Sequence, residues 1–127
     1  MLVALSQTAL AAGPFDGTWS VTQDCLPAAD GARGYQFLFD ATVEDGQLTG
    51  QYSNRSTSAS ETLSGRIEPD GSAKLIARGT NGKAEHTTGF QQPGSPFSFS
   101  VTARFEGNRG TGARTAGRTC NFTFVRK

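Results

Sequence analysis

Histidine is almost missing from this chain of 127 residues: His86 is the only one. That removes the commonest catalytic base and metal ligand from all but one position. Cysteine is also scarce, with Cys25 and Cys120 far apart in the sequence. One histidine and two distant cysteines cannot make a zinc site without recruiting several carboxylates, and no Asp-x-Asp calcium loop occurs. Neither a metal nor a cofactor is expected. Long apolar runs are lacking too. The opening stretch, Met1 to Ala12, is apolar, but twelve residues are too few for a helix that needs ~20 to cross a bilayer. No transmembrane segment is expected elsewhere. No helical period of apolar residues follows Gly13. With one Trp, one Met and only 35% apolar residues, the core must draw heavily on nine Phe.

Charge of one sign is lacking overall. The formal net charge of +1 gives no electrostatic reason for a polyanionic partner. Its distribution is uneven, however. Residues 1–70 hold three Arg against nine acids, whereas residues 104–127 hold six bases against Glu106 alone. In a closed meander these two regions would be neighbours and would largely neutralise each other. The tract from Arg109 to Arg118 superficially resembles an Arg/Gly nucleic-acid segment, but it reads more plainly as a glycine-rich β-hairpin. No nucleic-acid partner is expected.

What is present is period-two alternation broken by turn residues. Trp19 and Val21 alternate with Thr18, Ser20 and Thr22, and the same parity reaches Cys25. Tyr35, Phe37, Phe39, Ala41 and Val43 share one face of the next run, with polar neighbours opposite. This is the pattern of strands with one buried face. Asp45-Gly46 is a two-residue hairpin signal, and Asp70-Gly71 and Asn81-Gly82 repeat that chemistry. Return strands place Leu48, Gly50 and Tyr52 inward, then Leu63, Gly65 and Ile67, then Ala73, Leu75 and Ala77. Ser53 to Ser60 reads as an exposed loop, and Lys83 to Phe90 has no clear pattern. Phe97 to Phe105 alternates strongly, and Cys120, Phe122 and Phe124 share a final face.

These signals predict an all-β fold: an antiparallel up-and-down meander of about eight strands, closed or nearly closed into a small barrel. A β-sandwich is the alternative, although an immunoglobulin-like one usually sets its core Trp between the cysteines, and Trp19 precedes both. Cys25 and Cys120 fall on inward faces of the first and last strands, so a disulfide between them would seal the barrel. Residues 13–127 are expected to form the single domain. Residues 1–12, ending in Ala9-Leu10-Ala11-Ala12, read as a truncated signal peptide or a disordered arm. Signal and disulfide together predict a periplasmic or secreted protein.

Gly17-Thr18-Trp19 resembles the glycine-x-tryptophan signature on the first strand of avidin-like and lipocalin-like barrels. Gly46-Gln47-Leu48-Thr49-Gly50-Gln51-Tyr52 is similar to a hairpin of avidins, including its closing Tyr. The resemblance implies a small barrel, and more broadly one of the exported bacterial β-barrel proteins of uncharacterised function. It does not extend to biotin. The positions matching polar biotin-reading residues are Val21 and Cys25, and only Tyr52 matches a ligand residue.

Catalytic constellations are sparse. No serine sits in a Gly-x-Ser-x-Gly elbow, and Asp40, Glu44-Asp45 and Glu68-Asp70 are turn acids better explained by backbone conformation. A hydrolase is the remotest reading. Two non-enzymatic readings remain. Glycine and alanine abundance suits a filled interior, which favours a surface interaction module, inhibitor or antigen that meets a protein partner through Arg109, Arg114 and Arg118 or through loop 53–60. Alternatively, the barrel mouth binds a small apolar ligand lined by Trp19, Tyr35, Tyr52 and Phe99.

Overall fold

Eight strands wind in sequence order around one axis, each paired antiparallel with the next and the last with the first. The computed structural model describes residues 13–127, so the expected signal segment 1–12 lies outside the described residues. The strands are β1 (Gly17–Cys25), β2 (Tyr35–Glu44), β3 (Gln47–Asn54) and β4 (Ala59–Ile67). They continue as β5 (Ser72–Thr80), β6 (Pro96–Glu106), β7 (Arg109–Arg114) and β8 (Cys120–Arg126). Closure removes the free edges that an open sheet would expose and excludes the two-layer sandwich. The seam joins Trp19 to Arg126 at one end and Cys25 to Cys120 at the other. At that second end the cysteines are bridged, with Cα atoms 4.0 Å apart.

Alternation decides which way the wall faces. Trp19, Val21, Val43, Leu48, Leu63, Leu75, Phe105 and Phe124 are buried inside, while the intervening Thr18, Thr42, Glu44, Gln47 and Thr49 are exposed or half-exposed. An apolar interior with a polar exterior is the inverse of a lipid-facing barrel. Asp45 and Gly46 both take positive φ, 54° and 83°, as the two-residue hairpin requires. Asn81-Gly82 departs from expectation. Neither residue has positive φ, so no tight hairpin forms there. Residues 81–95 instead make a long connection containing a 3-10 turn, Ala84–His86. It is tied at its base by Asn81 N–H to Ser95 O and Gly94 N–H to Asn81 O, both 2.8 Å.

The two ends of the barrel differ. At the closed end the Trp19 indole donates to Phe15 O at 2.9 Å, and Phe105 packs edge-on against it with ring centroids 5.2 Å apart. The Arg126 guanidinium lies 4.9 Å from the Trp19 ring centroid and donates to the carbonyls of Asp16, Pro14 and Gly107. Gly110 leaves room for Phe105, since a Cβ there would come within 2.7 Å of the ring. This half is solid. Toward the other end the wall parts. β2 and β3 pair only from Glu44↔Gln47 to Ala41↔Gly50, and β6 pairs with β7 only from Val101 onward. The mouth therefore flares where Phe37, Tyr52, Phe97 and Phe99 face inward.

Candidate functional site

The flare encloses a cavity of about 420 Å³. That falls within the roughly 300–1,000 Å³ range of small-molecule sites. One wall is aromatic by construction. Tyr35, Phe37 and Phe39 alternate on β2, and Tyr52 meets them from β3 across the unpaired stretch. Phe37 and Tyr52 are stacked with centroids 3.9 Å apart. Phe97 and Phe99, two apart on β6, form the facing wall with centroids 5.8 Å apart. Residues 81–91 contribute Lys83, His86 and Gln91 to the rim.

Of the residues expected to line a ligand, Tyr35, Tyr52 and Phe99 do line this cavity. Trp19 is not among them. It is wholly buried at the closed end, beneath Arg126. The first strand crosses the whole barrel, so two inward residues on it can serve opposite ends.

The three arginines expected on one interaction surface are not together. Arg109 starts β7 beside the β6–β7 turn at the closed end and is exposed, whereas Arg114 ends the same strand on the inward parity and lines the mouth. The Arg114 Nε donates to Ala116 O at 2.8 Å, and its guanidinium carbon sits 4.5 Å from the Phe99 centroid. Its two Nη groups make no hydrogen bond to another described residue. Burial lowers the Arg114 pKa from its ordinary value, yet guanidinium stays charged at neutral pH.

Arg118 does structural work at the rim. It donates to Leu26 O at 2.9 Å, to His86 O at 2.6 Å and to Arg33 O, and it covers the Tyr35 ring. One side chain thus fastens loop 26–34 to the long β5–β6 connection. Asp30 adds a second tie by accepting from Gly89 N–H at 2.7 Å. These backbone N–H groups, Gly89 first and then Ala32, hold the Asp30 carboxyl below its usual range. The sole histidine is absorbed into the same rim, with Nδ1 3.1 Å from Gly34 O. Loop 53–60 is shorter than expected, because β3 runs to Asn54 and β4 starts at Ala59.

Two residues not singled out in the sequence lie buried in the barrel interior, outside the lining of the cavity. Gln23 and Glu61 point inward and are 0% and 2% exposed. Glu61 pairs with Tyr52 on one side and Gly79 on the other, and Gly79 pairs with Phe97. Its row is therefore bounded by two residues that line the cavity. Burial drives the Glu61 carboxyl up to about 7, and the nearby Gln23 amide, which lies outside hydrogen-bonding geometry, draws it only partway back. Neither carboxylate oxygen has a hydrogen-bond partner, nor does the Gln23 carbonyl oxygen. Their parity with Leu63 and with Trp19, Val21 and Cys25 was the available signal. A polar residue in an inward register had to be either paired or functional.

Among the described residues no cluster of three potential ligands could hold a metal ion, and no helix is long and apolar enough to cross a membrane. Compared with known proteins, the chain matches no family model, and no curated protein or solved structure is significantly similar to it.

Proposed function

We infer that this barrel is a non-enzymatic carrier or receptor for a small amphipathic molecule held in its mouth. The ligand's flat apolar body would lie between the Tyr35–Phe37–Tyr52 and Phe97–Phe99 walls, and an anionic or acceptor head would meet Arg114. The single observation that carries this reading is the 420 Å³ cavity with its facing aromatic walls. A filled interior would have favoured surface recognition, and only the closed half is filled. Aromatic faces provide area without hydrogen-bond demands, while one guanidinium fixes orientation. Tyr52 and the Gly17-Thr18-Trp19 strand support a kinship with avidin-like and lipocalin-like barrels in this general mode, without biotin as the ligand.

The setting is read as the periplasm or the extracellular space of a bacterium. The Cys25–Cys120 bridge supports an oxidising compartment.

The experiment is calorimetric titration with a para-ethyl biphenylcarboxylate and with its neutral analogue lacking the acid. The carboxylate should bind, and Arg114→Met should weaken it about tenfold, roughly the 1.4 kcal/mol of one lost charge-assisted contact, while leaving the neutral analogue unchanged. Amide shifts should map to β2, β3, β6 and the 81–91 segment. Shifts confined to the outer face of the barrel would sink the reading.

A further inference from the structure

We propose that a protonated amine of the ligand reaches past the lining of the mouth cavity to a buried subsite, the Glu61 carboxylate and the Gln23 carbonyl oxygen, next to the lining residue Tyr52. This rests on the mouth-binding reading and deepens it: the ligand would carry an ammonium group at its leading end and an acceptor head at the rim.

The barrel interior holds unused hydrogen-bonding capacity. Glu61 Oε1, Glu61 Oε2 and Gln23 Oε1 are three buried acceptors with no donor. Buried polar groups are ordinarily satisfied, and an orphaned one calls for an explanation. Gln23 is held by its other end, where Nε2 lies 3.6 Å from Cys25 Sγ, so its oxygen is left for another group. Glu61 takes part in no ion pair among the described residues.

The charged groups about the cavity do not meet this need from within the protein. Arg114 and Arg118 act on Tyr35, which in turn feels Glu61, but neither arginine contributes to the state of Glu61 itself. Arg118 is committed to three carbonyls, and Arg114 lies over Phe99. Packing does not require an acid either. Leu63 and Ala59 flank Glu61 on the same face of β4, where an aliphatic residue would fill the space without desolvating a charge. Three unpartnered acceptors match in number the donors of a primary ammonium, which has three donors and no acceptor.

With the subsite empty, a protonated Glu61 can donate to Gln23 Oε1 and remain neutral. An arriving ammonium displaces that proton to solvent, and the resulting carboxylate pairs with the amine. Atoms and charge balance: the ligand keeps its proton, and Glu61 releases one.

The test uses matched acids that differ only in their far end, para-ethylbenzoate against para-(aminomethyl)benzoate, and the same pair on a biphenyl framework. At about pH 8 the aminomethyl acid of at least one pair should bind about tenfold or more tighter than its ethyl partner. E61Q should abolish that preference, so that the two acids of each pair bind alike. At about pH 6, titration of the wild-type protein in buffers of different ionisation enthalpy should show close to one proton released by the aminomethyl acid and none by the ethyl acid. This second readout needs no variant. If the ethyl acids bind but the amines bind no better, or bind without releasing a proton, the amine subsite is overturned and mouth binding stands. If no acid of either pair binds, both readings fall together.

Discussion

At the scale of single residues, Glu61 dominates the pH behaviour expected of this fold. Its carboxyl rises from 4.5 to about 7 on folding because burial penalises the charged form. A raised acid pKa means that the folded state binds the proton more tightly than the unfolded chain. Between about pH 4.5 and pH 7 the native protein therefore holds more protons, and stability falls as pH rises through that window. The full span corresponds to about 3 kcal/mol, lost progressively and then constant above it. E61Q removes the titration while keeping the shape. Urea denaturation from pH 4 to pH 8 should show the wild-type decline and a flatter profile for E61Q, with the variant the more stable of the two at about pH 8. A wild-type profile that rises across the same window would contradict the buried, unpaired state of this group. The stability relation also explains why such a residue points to binding. A group that weakens the empty protein near neutral pH makes sense where something else comes to meet it.

At the scale of elements, small residues set how closely strands and side chains approach. Gly110 on β7 faces the Phe105 ring, which itself packs against Trp19 and Phe124. Gly110→Ala would press a methyl into that ring from a backbone that cannot withdraw, since β7 is paired on both sides. Overpacking of this kind costs about 1–3 kcal/mol, so the midpoint of thermal unfolding should drop by several degrees. An unchanged midpoint would mean that the closed end is looser than its packing indicates. Much of this element scale could be read from the sequence. The inward parity of Trp19, Val43, Leu48, Leu75 and Phe124, the Asp45-Gly46 turn and the cysteine faces all follow from period two. Asn81-Gly82 misled because a favoured dipeptide permits a tight turn without enforcing one, and the following residues offered no strand to return. The separation of β2 from β3 was invisible for a different reason. Tyr35, Phe37 and Tyr52 carry strand patterning whether their strands pair or splay. Only register shows that the ladder stops at Ala41 and Gly50. The site was half legible on the same grounds, since inward aromatics are apparent from alternation but not the end of the barrel they occupy.

At the scale of the whole molecule, the barrel is fastened differently at its two ends, and this gives the disulfide a local role beside its global one. Cys25 and Cys120 face each other in the last pair of the β1–β8 seam, at the mouth. Six further pairs run from Asp24↔Asn121 to Trp19↔Arg126. The Arg126 clamp and the Trp19–Phe105 contact lie at the far end of that seam. Joining positions 95 apart in sequence restricts the unfolded chain by about 4–5 kcal/mol in the loop-entropy account. Replacing both cysteines by alanine should therefore lower the urea midpoint substantially while the barrel still closes. Consequences within the folded state should be polarised. Cys25 is followed at once by loop 26–34, and Leu26 and Arg33 in that loop accept the Arg118 hydrogen bonds that fasten the rim. Freed of its tether, the mouth should bind the aromatic acids more weakly, whereas Trp19 should keep its buried emission at low denaturant. The combination of weakened binding with unaltered Trp19 fluorescence separates a loosened mouth from general unfolding. Emission shifted toward that of solvated indole would show instead that both ends depend on the bridge, and that the closed half does not hold its structure independently of the mouth.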